Sequence, residues 1–185
     1  MAQWFESRVG IWSACWRQLV TDAVLLKPNA RTVLATIGQD GAPEARIVVL
    51  RSADRQAGTV AVHTDTGSVK VTELQRDARA SLHIWNEEAQ LQMRLRGEVR
   101  IATGPEVSHL WARMPDPSRA NYGVTPTPGT EIAQSDAYER HADPARLAQL
   151  TLHIAEMDVV HLSDDYHRRA LYRRDDNWQG QWLAP

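Results

Sequence analysis

Cysteine occurs once in the 185 residues, at Cys15, so the chain can form no internal disulfide. Nor does charge of one sign dominate: 21 Lys plus Arg oppose 23 Asp plus Glu, a formal charge of −2. That balance gives no global case for nucleic acid or an anionic membrane as partner, so the basic residues must act locally. No apolar run approaches the roughly 18 residues of a spanning helix, and "MAQWFESRVG" lacks the charged-then-apolar layout of a signal peptide. A cytoplasmic protein is expected. The histidines, at 63, 83, 109, 141, 153, 161 and 167, show no metal-ligand spacing, and neither HExxH nor paired cysteines occur, so no metal is expected. A GxGxxG loop after a strand is also missing, which argues against a separate dinucleotide site. Without repeats or a break in composition, residues 1–185 read as a single domain.

What is present is mostly strand. Residues 4–25 carry Ile11, Cys15, Leu19 and Ala23 at helical spacing and read as an amphipathic helix, stopped by Pro28 and Asn29. On that helix Cys15 reads as a small buried residue rather than a nucleophile. "RTVLATIG", "ARIVVLR" and "TVAVHT" are β-branched runs separated by turn chemistry, and "ASLHIWN" is a fourth. In "LQMRLRGEVRI", Leu91, Met93, Leu95, Gly97, Val99 and Ile101 alternate with polar residues, which predicts a long strand with one wet face. A helix is predicted over 105–114, then a long Pro/Gly/Thr-rich loop over 115–130. Asp143 and Pro144 have the character of a helix start, which predicts a helix to about Met157 with His153 on it. "DVVHL", "RRALYRR" and "WQGQWLAP" read as closing strands. Six or seven strands without regular βαβ alternation predict a mainly β, antiparallel barrel with flanking helices.

The chemistry concentrates where a strand gives way to a helix. Ser68 is a plausible N-cap for a helix over 69–76, with Val71 and Leu74 facing inward. Lys70 then falls in the first turn, where exposed backbone N–H groups already favour negative charge. A serine at a helix start, a lysine one turn in and Arg46 on a neighbouring strand together suit a phosphate. Arg46 and Arg51 bracket an apolar strand, roughly 16 Å apart, a span that fits a ligand with a phosphate at one end and a flat ring at the other. Their odd separation sends them to opposite faces of an ideal strand, so a bulge, twist or barrel rim would have to reconcile them. Alone, either arginine is also readable as a solvated strand end, and Gln92 as an ordinary exposed glutamine able to donate and accept at a heterocycle edge.

In order and spacing, "RIVVLR…VAVHTDTGSVK…LQMRLRGEV" resembles the pyridoxamine 5′-phosphate oxidase-like family of FMN-binding split barrels. The likeness runs from about Arg31 to Ile101 and returns weakly at "RRALYRR…W…LAP". It implies an FMN-dependent oxidoreductase that passes a hydride from a small molecule to FMN. Arg46, Ser68 and Lys70 would hold the FMN phosphate, with His63 and Thr64 near the phosphate or ribityl chain. Arg51 and Gln92 would address the ring edge, backbone groups of Val48 and Val49 would lie alongside it, and Arg169 would be a later contact. The family also implies a homodimer with FMN at the interface. Rival readings on the same barrel are a non-catalytic flavin- or haem-binding protein and a flavin reductase-type enzyme.

The departures fall where substrate would bind. "HLWARMPDPS" places His109 where the oxidase has a tyrosine, keeps Arg113, and reaches Ser118 one residue late. Asp165-Tyr166-His167 replaces an Arg-x-His, leaving His167 as a substrate candidate but exchanging a cation for an anion, which argues against pyridoxine phosphate. Val69 stands where a further arginine is expected, Val159 or Val160 where a tryptophan is, and no Gln-Ser pair is visible in "VTPTPG".

Overall fold

The computed structural model describes residues 3–25 and 31–185; the helix stop at Pro28 and Asn29 lies outside them. After a short 3-10 turn, helix α1 (Arg8–Leu25) buries Ile11, Cys15, Trp16, Leu19 and Ala23, the apolar stripe that its spacing predicts. It packs against the strand Pro43–Asp54. Trp12 on its flank meets Trp16, Tyr172 and Trp178 with ring centroids 5.0–5.7 Å apart, so part of the tryptophan content fastens α1 to the chain's C-terminal strands.

Then come β1 (Arg31–Ile37), β2 (Pro43–Asp54), β3 (Thr59–Asp65), α2 (Val69–Arg76), β4 (Arg79–Asn86) and β5 (Leu91–Thr103). Every pairing is antiparallel. The order β8-β3-β2-β1-β4-β5 closes on itself through β5 and β8 (Leu147–His161), giving a six-stranded barrel. Strand β9 (Arg168–Arg173) extends it beyond β8, and β10 (Gln181–Leu183) pairs with β9. The inward positions of β5 are buried as the alternation predicts from Leu91 to Leu95 and at Val99.

The predicted helix over 143–157 is a strand. Asp143 does cap, its carboxylate accepting from Ala145 N at 2.9 Å, but the turn it starts ends at Arg146 and β8 follows. Leu150, Leu152 and Ile154 alternate inward, then Met157, Val159 and His161 do so one step out of phase. The change of phase comes at Ala155, skipped in the pairing with β5, where Ile154 faces Gly97 and Glu156 faces Arg96. An Ile-to-Met step of three residues imitates helical spacing. His153 is therefore exposed on a strand, not on a helix. Gly97 is required there, because a Cβ would strike the carbonyl of His153. Residues 147–153 serve β3 and residues 156–161 serve β9, so one 15-residue strand belongs to both halves of the sheet.

The helix expected over 105–114 is two pieces, a 3-10 turn (Gly104–Val107) and α3 (Ser108–Arg113). The long loop contains α4 (Asp116–Arg119) and β6 (Val124–Thr125), which pairs with β7 (Glu139–Arg140). A small second core of Ala102, Val107, Tyr122 and Leu147 holds this region against the barrel.

Candidate functional site

At one end of the barrel, β3 turns into α2 through a tight run of polar contacts. Ser68 occupies the predicted N-cap position, yet its hydroxyl does not cap α2. It donates to the carbonyl of Asp65 at 2.7 Å and lies 3.0 Å from Thr64 Oγ1. Lys70 Nζ donates to that same Thr64 oxygen at 3.1 Å. From β2, Arg46 donates to Thr36 Oγ1 and, at 2.9 Å, to Glu73 Oε2; Glu73 is 2% exposed and also accepts from the Thr36 hydroxyl at 2.6 Å. Burial, and then the positive charge of Arg46, hold the Lys70 ammonium pKa below its usual value. Arg46 and Lys70 thus share one electrostatic environment, with Glu73 as the counter-charge that Arg46 contacts. Two cations, two hydroxyls and a helix start converge there.

A second network ties this turn to the long loop. Buried Asp65 accepts from Gly67 N at 2.7 Å and from Arg146 Nη2 at 2.6 Å, and its other oxygen accepts from Gly123 N at 2.7 Å. Gly123 has φ +111°, and a Cβ there would strike the carbonyl of His141. Glu73, Thr36, Asp65 and Arg146 were not singled out by sequence reasoning. Arg146 lies 81 residues from Asp65, and no local pattern announces such a pair.

His63 and Thr64 are consecutive on β3, so pleating sends their side chains to opposite faces. Thr64 joins the barrel-end cluster, while His63 enters a cavity of about 350 Å³ with Arg51, Arg113, Ser118, Leu110 and Met114. Arg51 reaches it from a bulge: the β2–β3 pairing jumps from Leu50 to Ser52, leaving Arg51 as the extra residue. The bulge that the odd spacing demanded exists, but Arg51 lines this cavity while Arg46 is held by Thr36 and Glu73. Among the described residues neither Arg51 nor Arg113 has a hydrogen-bond or ion-pair partner. Burial, followed by the charges of Arg51 and His109, lowers the His63 pKa to about 4.

Gln92 and Arg169 flank Val160 on opposite sides, on the sheet face turned away from the core. Arg169 is already engaged, its Nε and Nη2 donating to buried Asp158 at 3.0 and 2.8 Å, and Arg94 donates to the same carboxylate. Val48 is buried and Val49 half-buried on β2. His167 is exposed in the β8–β9 connection beside His161, away from the residues that line the Arg113 cavity.

A family model described as "Pyridoxamine 5′-phosphate oxidase, FMN-binding domain" matches residues 11–103. The pyridoxine/pyridoxamine 5′-phosphate oxidase of Thermosynechococcus vestitus is 34% identical over 92% of this chain and 87% of its own. The chain belongs to the pyridoxamine 5′-phosphate oxidase-like family of FMN-binding split barrels. Among solved structures, a pyridoxamine 5′-phosphate oxidase-related, FMN-binding protein from Nostoc punctiforme superposes with a TM-score of 0.79 at 23% identity, covering 94% of this chain and 97% of its own. PhzG from Burkholderia lata, solved with tetrahydrophenazine-1-carboxylic acid, does so with 0.74 at 25%, covering 95% and 92%.

The positions at which this chain departs from the oxidase can now be placed. Val69 is the half-exposed first residue of α2, directly after Ser68 and before Lys70. Asp165 and Tyr166 are exposed in the same connection as His167. His109 lies on α3, close enough to His63 to depress its protonation.

Proposed function

We propose that this protein binds FMN and is an oxidoreductase for a small molecule carrying an oxyanion. The observation that carries the reading is the barrel-end cluster: Arg46 and Lys70 stand close enough to repel, Thr64 links Lys70 to Ser68, and Arg46 has buried Glu73 at 2.9 Å and exposed Glu44 at 3.9 Å as counter-charges. A phosphate relieves that repulsion and accepts from both cations. Gln92 and Arg169, across Val160, offer donors to a ring edge. The chemistry supplied there by FMN is acceptance of a hydride from substrate. The chain's own part is to grip the phosphate, orient the ring along Val48 and Val49, and present Arg51, Arg113 and Ser118 to the substrate's anionic group.

The face that bears Gln92 also bears Ile47, 71% exposed, and Trp85, 39% exposed, linked across β1 and β4 by continuous pairing. Apolar exposure on that scale beside ring-binding residues supports a homodimer with the cofactor at its interface. Asp165, where a cation would meet a B6 vitamer phosphate, weighs against that substrate. The carboxylated ring bound by PhzG is an alternative of the same charge sign.

The test is the absorbance of the purified protein and its flavin affinity. Replacing Arg46 and Lys70 together with alanine is expected to weaken FMN binding by about a hundredfold or more, since each charge-assisted contact contributes roughly 1.5–3 kcal/mol. Unchanged affinity in the double variant would refute this placement, and a Soret band in place of flavin bands would favour the haem reading.

A further inference from the structure

The Arg51 cavity carries an electrostatic problem that several other arginines of the chain solve by pairing. His63 enters from β3, Arg51 from β2, Arg113 from α3 and Ser118 from α4, while His109 on α3 stays outside the lining and acts on His63 only through its charge. Tyr122 stands near Arg51, and burial raises its phenol pKa, which keeps it neutral. No carboxylate lines the space among the described residues. Elsewhere Arg46, Arg79, Arg94, Arg100, Arg146 and Arg169 each meet an acid within 3 Å. The cavity therefore holds two guanidiniums without a carboxylate in its lining, and with them an imidazole that can accept a proton only at the cost of a further like charge in a partly buried place.

We propose that an oxyanion entering this cavity binds together with a proton taken up by His63, so that the ligand's charge is shared by Arg51, Arg113 and an imidazolium formed on binding. The inference rests on the functional reading above for the location of the substrate, and adds how the site recognises it. A negative group held by Arg51 and Arg113 offsets the Arg51 charge that, after burial, disfavours a proton on His63, and the proton comes from solvent, so no oxidant or partner is required. Seen from the ligand, the empty site offers two cations and the filled site three. Affinity then rises as pH falls, by up to about tenfold per unit, in the range between the protonation midpoints of the empty and filled sites.

Sulfate and benzenesulfonate test this without flavin turnover, because neither titrates between pH 5 and 8 and they present the same group free or on a ring. Calorimetry in buffers of differing ionisation enthalpy reads the protons taken up per anion. The expected result is uptake that approaches one proton as pH falls towards 5 and vanishes in His63→Gln, with binding of both anions lost in Arg51→Ala/Arg113→Ala. Wild-type affinity that does not change with pH would overturn the proposal, as would uptake that persists in His63→Gln, which would assign it to His109. Failure of both anions to bind the wild type would overturn it as well. Should His63→Gln not fold, the imidazole 15N shifts of the wild-type protein give the same answer, since sulfate must raise the His63 midpoint. Flavin bands in each sample keep the outcomes separate: FMN retained without proton uptake sinks only this proposal, whereas FMN absent sinks the functional reading.

Discussion

The barrel-end cluster and the Arg51 cavity hold comparable sets of cations in opposite states of completion. At the barrel end each cationic side chain has a partner before any ligand arrives: Arg46 has Glu73 and Thr36, and Lys70 has Thr64. In the cavity Arg51 and Arg113 have none among the described residues. The first arrangement is part of the folded scaffold, because a buried carboxylate and a guanidinium fix each other's geometry. The second makes no side-chain hydrogen bond or ion pair among the described residues, which leaves its counter-charge to a ligand under the proposed function. A cofactor that stays and a substrate that leaves would call for this division.

The comparison breaks most visibly at Glu73. Glu73→Ala leaves Arg46 beside an empty buried site and removes the acceptor of the Thr36 hydroxyl, so unfolding by urea should show a loss of about 3–5 kcal/mol. Glu73→Gln keeps an acceptor for both and should recover much of that loss. It also removes the carboxylate beside the proposed phosphate site, so FMN should bind it more tightly than it binds the wild type. A Gln variant as unstable as the Ala variant would mean that charge, not geometry, holds Arg46.

Next in size is Asp65, which joins β3, the long loop and Arg146. Asp65→Asn turns one of its acceptors into a donor facing donors. A loss of about 2–3 kcal/mol is expected from the charged hydrogen bonds given up, together with faster proteolysis within residues 115–143. Stability lost without faster cleavage would show that the second core around Tyr122 and Leu147 anchors the loop unaided.

These partners also mark what the chain's sequence made legible. Alternation exposed β5, turn chemistry exposed β1 to β3, and the helical stripe on α1 was visible down to Cys15, because each is a local pattern. Arg46, Ser68 and Lys70 fall in one cluster because a strand end, a helix start and a neighbouring strand meet there. Strand β8 imitates a helix in the sequence since its alternation changes phase at Ala155, and only the strand opposite reveals that. Glu73 and Asp65 were passed over because their importance lies in residues far along the chain. His63 and Thr64 are named together by the family resemblance, and the period of two separates them as neighbours on a strand.

The smallest effect, and the one that isolates the cavity, is Arg51→Ala at two pH values. At pH 7 Arg51 has no partner to lose, so its removal should move the unfolding free energy by no more than about 0.5 kcal/mol. Acid changes the sign. His63 protonates near pH 6.5 when unfolded but only at about 4 in the folded chain, so between those values the unfolded state binds the extra proton and stability falls as pH falls. Arg51 is the second contributor to that depression, after burial, and taking it away raises the folded midpoint part of the way back. Arg51→Ala should therefore lose less stability than the wild type between pH 7 and pH 5, a gain at pH 5 of under about 1 kcal/mol, with burial still enforcing most of the shift. Parallel pH profiles for the two proteins would place Arg51 too far from His63 for the shared cavity to govern either.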